Sequence, residues 1–207
     1  MAIRSTGQTW GSVARGLHWI SAALILFGLT HGTWMANFLE PRNLRLSHYV
    51  WHAAIFMYFG LLLALRIVWR LSDQRPEEPR DSTSLERNAA ASAHLALYGL
   101  MIAMLVSGYM IWSSFPARFD PARAAQVDIR LFGFFKVPAL HTSLNRDVFK
   151  FWEHTHTYLA WSMMALVAVH VLAALRHHFV KGNDVLWRMM SGKSAEARRP
   201  GAGKSGA

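Results

Sequence analysis

Four stretches of the 207-residue chain contain no Asp, Glu, Lys or Arg, and this pattern restricts the fold more than any other feature. They have 24, 20, 30 and 22 residues and cover Gly16–Leu39, Leu46–Leu65, Asn88–Ala117 and His154–Leu175. A helix of ~20 apolar residues spans the ~30 Å hydrocarbon core of a bilayer. The stretches lack the alternation of a membrane β-barrel. We therefore expect an all-α membrane protein, an antiparallel bundle of four transmembrane helices.

One domain accounts for most of the chain. Residues 1–190 contain the four stretches and their connections, and we expect them to form one transmembrane domain. Residues 191–207 contain Gly, Ser, Ala and charges without an apolar face, which predicts a disordered basic tail in the cytoplasm. The third connection contains the sequence IRLFGFFKVPAL. This composition favours a segment at the mouth of the bundle or at the membrane interface over a free linker.

The formal net charge of +10 is explained better by membrane orientation than by nucleic acid. The cations flank the apolar stretches and form no recognisable nucleic-acid-binding motif, so no nucleic-acid partner is expected. The N-terminus, residues 66–87 and the C-terminal part hold 14 of the 22 Lys and Arg residues, against 8 in the two opposite connections. The positive-inside rule then predicts a multi-pass membrane protein with both termini in the cytoplasm.

The chain has no cysteine. This excludes disulfides, cysteine-ligated iron–sulfur clusters and covalent haem attachment through C-x-x-C-H. Histidine is then the strongest available metal ligand, so any redox centre would be held without a covalent bond to the protein.

Histidines of the fourth stretch share one helix face. His156 and His170 are 14 residues apart, which places them within ~40° of each other and ~21 Å apart along the helix axis. His154 lies ~160° around the helix from His170. In an antiparallel bundle, His170 is expected at the depth of His18 and His94.

The same reasoning places His156 at the depth of His52, although His48 lies one turn earlier and could replace His52 on geometry alone. Two layers of paired imidazoles are typical of b-type haem sites in a bundle core. Zinc is a poorer explanation because it needs three or four converging ligands. For the remaining histidines at or near the spans, a hydrogen bond across the bundle or an interfacial position is the simpler interpretation. These are His31, His48, His141 and His154.

Several motifs, in their order along the four stretches, resemble the bacterial cytochrome b561 family, which are di-haem four-helix membrane cytochromes related to the cytochrome b subunits of hydrogenases. The resemblance spans residues 15–190. It rests on LHW at 17–19, His52 with LRIVWRL at 65–71, His94 with Gly108, and RHHF with GNDVLWRMM within 176–190.

The resemblance implies two non-covalent b haems. His18 with His170 would ligate the cytoplasmic-side haem, and His52 with His156 the periplasmic-side haem. It also implies that the third connection caps the periplasmic-side haem.

The family includes members that oxidise superoxide and reduce ubiquinone, so the resemblance implies an oxidoreductase of the superoxide:ubiquinone type. The alternative is an electron-transfer and anchor subunit for a hydrogenase or dehydrogenase, which would bind a redox partner subunit. His94 and His177 are candidates for the ubiquinone site, since an imidazole can hydrogen-bond a quinone carbonyl and deliver protons. Contact with lipid headgroups is the alternative for both.

Six cations of the third connection outnumber four acidic residues and leave this face with a net positive charge of two. Such a face would attract a small anion such as superoxide. A solvated face without that role is the alternative. The cations are Arg118, Arg123, Arg130, Lys136, Arg146 and Lys150.

Overall fold

Five α-helices and a small β-hairpin form the computed structural model, which describes residues 2–40, 42–78, 82–141 and 143–192. The helices are α1 (Ser12–Asn37), α2 (Arg42–Ser72), α3 (Ser84–Ser113), α4 (Arg146–Phe179) and α5 (Val185–Met190). Between α3 and α4 lie the 3-10 turns Pro116–Phe119 and Ala124–Val127 and the strands β1 (Arg130–Leu131) and β2 (Phe135–Lys136).

Helices α1 to α4 are each long and apolar enough to cross a membrane. The predicted helical fold class is therefore confirmed. Within the described residues, strands occur only in the β1–β2 hairpin. The predicted tail, residues 191–207, lies outside the described residues from position 193 onward.

Side-chain caps determine where two of the long helices begin. The Thr83 hydroxyl accepts a hydrogen bond from the Glu86 N–H, and the Glu86 carboxylate accepts one from the Thr83 N–H, which forms a capping box at the start of α3. At the start of α4, the Asn145 side chain accepts from the N–H groups of Asp147 and Val148. These bonds satisfy amide donors that have no partner inside the helix.

Neighbouring helices are antiparallel, because the start of one contacts the end of the next. The defining pairs are Arg66–His18 and His48–His31 for α1 and α2, and Arg176–Glu86 and His156–Gly108 for α3 and α4. Both described termini therefore lie at one end of the bundle, called here the termini side. The β1–β2 hairpin lies toward the opposite end, the hairpin side.

An apolar cluster fills the middle of the bundle. It consists of Phe59, Leu63, Met101 and Met163, which are at most 4% exposed. Many large apolar side chains on the outer faces are exposed instead, among them Leu71 at 80%. Such a surface is unfavourable in water and suits a lipid environment.

A glycine allows α1 and α2 to approach closely. The ring of Phe56 on α2 occupies the space where a Cβ atom on Gly28 would lie. The same ring contacts His52, with 4.8 Å between ring centroids. The Phe56 ring therefore contacts both α1 and the His52 side chain.

The connection between α3 and α4 folds back along the outside of the bundle. Its buried residues Ile129 and Val137 form a second apolar cluster with Trp112, packed against Val50, Ala53, Ala54 and Met57 on α2. Further along α2, the hydroxyl of Tyr58 accepts a hydrogen bond from the N–H of Phe132 at 2.8 Å. The hairpin therefore descends beside a transmembrane helix rather than only covering the bundle mouth.

The chain ends meet at the termini side. The guanidinium of Arg15 donates to the carbonyl of Met190, and the indole N–H of Trp19 donates to the carbonyl of Met189. Helix α5 is thereby held against the start of α1. On the same side, Ser5 donates two hydrogen bonds to the Asp73 carboxylate and ties the N-terminal segment to the end of α2.

Candidate functional site

Histidines from different helices meet in two layers separated by the apolar cluster. In the termini-side layer, the rings of His18 on α1 and His170 on α4 have centroids 6.4 Å apart, with an interplanar angle of 51°. In the hairpin-side layer, the rings of His52 on α2 and His156 on α4 are 6.5 Å apart at 83°. One helix, α4, thus supplies a histidine to each layer.

The two rings in each layer are far enough apart for a metal atom to lie between them. A histidine nitrogen lies ~2 Å from a bound metal and about 1 Å from its own ring centre, so two trans imidazoles have centroids ~6 Å apart. The observed separations of 6.4 and 6.5 Å are close to this value. Clusters of three or more His, Asp or Glu residues suited to a metal ion are not found among the described residues. The geometry therefore fits paired ligands.

Ser107 determines which nitrogen of His156 faces the cavity described below. Its hydroxyl lies 2.8 Å from Nδ1 of His156 and 3.1 Å from the Met104 carbonyl. When the hydroxyl donates its one proton to the Met104 carbonyl, it accepts a hydrogen bond from Nδ1–H of His156. Nε2 of His156 then keeps a free lone pair and can bind a metal.

His18 has a different partner. Its Nδ1 lies 3.0 Å from the guanidinium of Arg66, which can only donate. In this arrangement Nδ1 of His18 accepts and the proton of the neutral ring lies on Nε2, so metal binding through Nε2 would require the other tautomer and the loss of the Arg66 bond. A fixed positive charge also lies next to this imidazole. The two layers thus differ in electrostatics, with a hydroxyl beside one ligand candidate and a cation beside the other.

A cavity of about 320 Å³ lies in the hairpin-side half of the bundle. Its lining is mainly apolar and includes His52, His156 and the loop residue Val127. Two glycines lie beside the histidine rings. A Cβ atom on Gly108 would be 3.3 Å from the His156 ring, and one on Gly32 would be 3.5 Å from the His52 ring. A side chain at either position would therefore crowd the neighbouring histidine ring.

Nδ1 of His52 is buried and has no hydrogen-bond partner within the described part of the chain. A buried polar atom without a partner is costly, and such a cost is often found at a ligand site. The His52 ring also stacks on that of His31, at 5.8 Å and 14°. His31 in turn lies 3.2 Å from Nδ1 of His48, nitrogen to nitrogen. His48 is therefore hydrogen-bonded to His31, and His52 is the histidine that faces His156.

The two quinone-site candidates, His94 and His177, contact different residues. His94 contacts His170, with ring centroids 5.6 Å apart, so it belongs to the termini-side layer. Nδ1 of His177 accepts a hydrogen bond from the Asn183 amide at 3.0 Å, in the turn that leads to α5. The contacts found in the described residues do not link His177 with His94.

Ion pairs reduce the positive charge of the third connection. Arg118 and Lys136 both approach Asp128, and Arg123 pairs with Asp120. The remaining cations, Arg130, Arg146 and Lys150, are not in ion pairs within the described ranges. The charge excess is therefore concentrated on fewer residues than the sequence alone indicates.

Two comparisons identify relatives. The family described as prokaryotic cytochrome b561 matches residues 9–192. A curated relative, "Cytochrome b561 homolog 2" of Escherichia coli (strain K12), is 30% identical over 204 residues, which covers 95% of this chain and 98% of the relative. Both matches include all four long helices and both histidine layers.

Proposed function

Because the chain belongs to the prokaryotic cytochrome b561 family of membrane-bound, electron-transferring b-type cytochromes, we propose that it holds two b haems and transfers electrons from superoxide to ubiquinone. Family membership supports a multi-pass, haem-binding redox protein. We propose in addition the number of haems, their ligands, the electron donor and the acceptor.

The ligand assignment is carried by one observation, the two cross-helix histidine pairs with ring separations suited to a single metal atom. His18 and His170 would hold one haem, and His52 and His156 the other. When bound, each haem supplies a centre that accepts and gives up one electron at a time. The protein positions the imidazoles, leaves a lone pair on His156 through Ser107, and excludes water with apolar side chains around the cavity.

Superoxide is the proposed donor because the hairpin side has an excess of cations over acidic residues. A small anion is drawn to such a face at a rate that falls with ionic strength, since salt screens charges beyond ~10 Å at 0.1 M. Each of two superoxide anions loses one electron and leaves as dioxygen. The quinone takes both electrons together with two protons and leaves as quinol.

The proposed quinone site lies at the termini side, near His94 and His177. His94 contacts the ligand candidate His170, so a quinone beside it would be close to the termini-side layer. Imidazole can donate a hydrogen bond to a quinone carbonyl and pass on a proton. His177 would act separately, through the turn that it shares with Asn183.

The orientation is part of the same proposal. With both termini in the cytoplasm of the inner membrane, the hairpin side faces the periplasm. Superoxide would then be oxidised outside the cytoplasm, while quinol would form near the cytoplasmic surface.

Stopped-flow mixing of the purified protein with superoxide tests the proposal. We expect rapid absorbance changes of haem reduction, slower at high salt, and reoxidation when a ubiquinone analogue is added. A haem-to-protein ratio of two, measured on the same sample, is expected from the ligand assignment. Failure of superoxide to reduce the protein, with rapid reduction by a co-purifying dehydrogenase or hydrogenase, would support the anchor-subunit function instead.

A further inference from the structure

We propose that the β1–β2 hairpin is a membrane anchor that inserts the aromatic residues of its tip, Phe132–Phe135, among lipid acyl chains. The partner is the phospholipid of the leaflet on the hairpin side. This inference does not depend on the electron donor or on the quinone site, because it concerns the outer surface of the bundle.

The hairpin extends far along α2. Ile129 and Val137 pack against α2 from Val50 to Met57, and the N–H of Phe132 bonds the Tyr58 hydroxyl. Eight residues separate Val50 from Tyr58, a rise of ~12 Å along a helix. Tyr58 lies in the second half of the charge-free stretch Leu46–Leu65. The tip therefore lies beside a segment that lipid surrounds.

The tip of the hairpin is aromatic and exposed. Phe132, Phe134 and Phe135 are 64%, 77% and 56% exposed. Among the described residues, only Phe132 of these three has an aromatic neighbour on a helix, the ring of Tyr58 at 5.5 Å. Burial of a Phe side chain is worth about 1.5–3 kcal/mol. Three such side chains around one turn form a surface that favours acyl chains over water.

The backbone conformation supports the same conclusion. Phe132 has φ of 54° and Gly133 has φ of 80°, as in the hairpin turns that match strand twist. Gly or Asn is the usual choice at such positions, and a bulky aromatic residue is unfavourable there. The turn therefore keeps an aromatic side chain at the tip in spite of this steric cost, which indicates a role for the side chain itself, as contact with acyl chains would provide.

The cations beside the tip match lipid headgroups. Arg130 and Lys136 are direct cross-strand partners, and two like charges in this arrangement repel each other. Lys136 is compensated by Asp128 at 2.8 Å. Arg130 is exposed and has no ion pair among the described residues. A headgroup phosphate would satisfy Arg130, whose long stem lets the guanidinium reach the interface.

Backbone groups near the tip do not prevent its insertion beside α2. The N–H of Phe132 bonds Tyr58, the N–H of Phe134 bonds the Leu131 carbonyl, and the N–H of Val137 bonds the Ile129 carbonyl. Amides with protein partners can enter a low-dielectric region at a lower cost than free ones. The backbone of the hairpin can therefore lie beside acyl chains next to α2.

A single cysteine tests this, since the native chain has none. Phe134→Cys is labelled with the environment-sensitive dye NBD, and the protein is reconstituted into vesicles of phosphatidylethanolamine and phosphatidylglycerol. Some vesicles also contain lipids with a spin label near the headgroup end or in the middle of the acyl chain. Ala122→Cys, an exposed site in the same connection, is the matched control. The visible haem spectrum and the melting temperature of both variants verify that they are folded.

We expect blue-shifted NBD emission at position 134 and quenching by spin-labelled lipid severalfold stronger than at position 122. Emission as in water, quenched by iodide from solution, would overturn the proposal. Protection from both iodide and labelled lipid would also overturn it, because a second protein copy would then cover the tip.

Arg130→Gln in the Phe134→Cys background tests the headgroup contact. Anionic lipid should increase the lipid quenching at position 134 when Arg130 is present, and this dependence should disappear in Arg130→Gln. Arg123→Gln is the control, since Arg123 already pairs with Asp120 in the same connection. An unchanged dependence in Arg130→Gln would reject the role of Arg130.

Discussion

The hydroxyl of Ser107 is hydrogen-bonded to the ring of His156. Its oxygen accepts a hydrogen bond from Nδ1–H of His156 and donates to the Met104 carbonyl. Such a partner raises the basicity of a ligating imidazole and stabilises oxidised iron. A bond of this kind is worth about 0.5–1.5 kcal/mol, or about 20–65 mV for a one-electron couple.

Ser107→Ala should therefore raise the reduction potential of one haem by tens of millivolts and leave the other unchanged. A redox titration followed by haem absorbance measures this. Ser107→Thr should restore the native potential, because it keeps the hydroxyl. Ser114→Ala is the control, as Ser114, directly after α3, is equally buried and bonds the carbonyl of Met110. Equal shifts in Ser107→Ala and Ser114→Ala would show that the hydroxyl next to His156 has no special role.

The histidines of α4 permit a comparison at adjacent positions. His156→Ala should reduce the haem content from two per chain to one, and His154→Ala should leave it at two, since His154 is exposed. His170→Ala should remove the other haem. The pyridine haemochrome assay measures the ratio. If His154→Ala lost as much haem as His156→Ala, the helical phase used for the assignment would be wrong.

The histidine layers were predictable from spacing, whereas Ser107 was not. Helix geometry alone places His156 and His170 on one face. A serine in an apolar helix commonly bonds its own backbone. Its second bond depends on where α4 lies against α3, which depends on packing between distant parts of the chain. The pairing of His48 with His31 is also a tertiary contact, which explains why His48 and His52 could not be distinguished by geometry.

At the scale of elements, the contact between α1 and α2 is controlled by Gly28. Gly28→Ala should lower the melting temperature, because the new methyl group would have to displace the Phe56 ring. The displaced ring contacts His52, so loss of one haem on dilution in detergent is also expected. Calorimetry and haem absorbance measure the two effects.

Gly99→Ala on α3 is the control for Gly28→Ala. A Cβ atom there would meet nothing within 4 Å, and alanine favours helix over glycine by about 0.5–1 kcal/mol. Its melting temperature should be unchanged or raised. A similar decrease in both variants would show that the Phe56 contact is not the cause.

The charge-free stretches directly predict the four long helices. They do not predict the path of the third connection. Its aromatic sequence predicts a location at the bundle mouth or interface. The descent along α2 depends on hydrogen bonds to Tyr58, Tyr109, Trp112 and Ser113, all within apolar stretches. These side chains would also suit a membrane interface, so the sequence gives no reason to pair them with the loop.

At the scale of the whole molecule, both described termini lie at one end of the bundle, which makes the orientation testable. Gln8→Cys and Ala122→Cys are exposed positions at opposite ends. In intact spheroplasts, a membrane-impermeant maleimide should label Ala122→Cys and spare Gln8→Cys until the membrane is opened. The reverse pattern would place the hairpin side in the cytoplasm and would contradict superoxide oxidation in the periplasm.

The contact between the start of α1 and α5 joins residues that are synthesised at very different times. Arg15 bonds the carbonyl of Met190, a residue 175 positions later. Ribosomes add ~5–20 residues per second, so the first helix waits about 10–35 s for this partner during translation. His18 likewise waits for His170 on the last long helix. The first helix is therefore inserted before these two contacts form, and assembly of the termini side is completed only when translation is nearly finished.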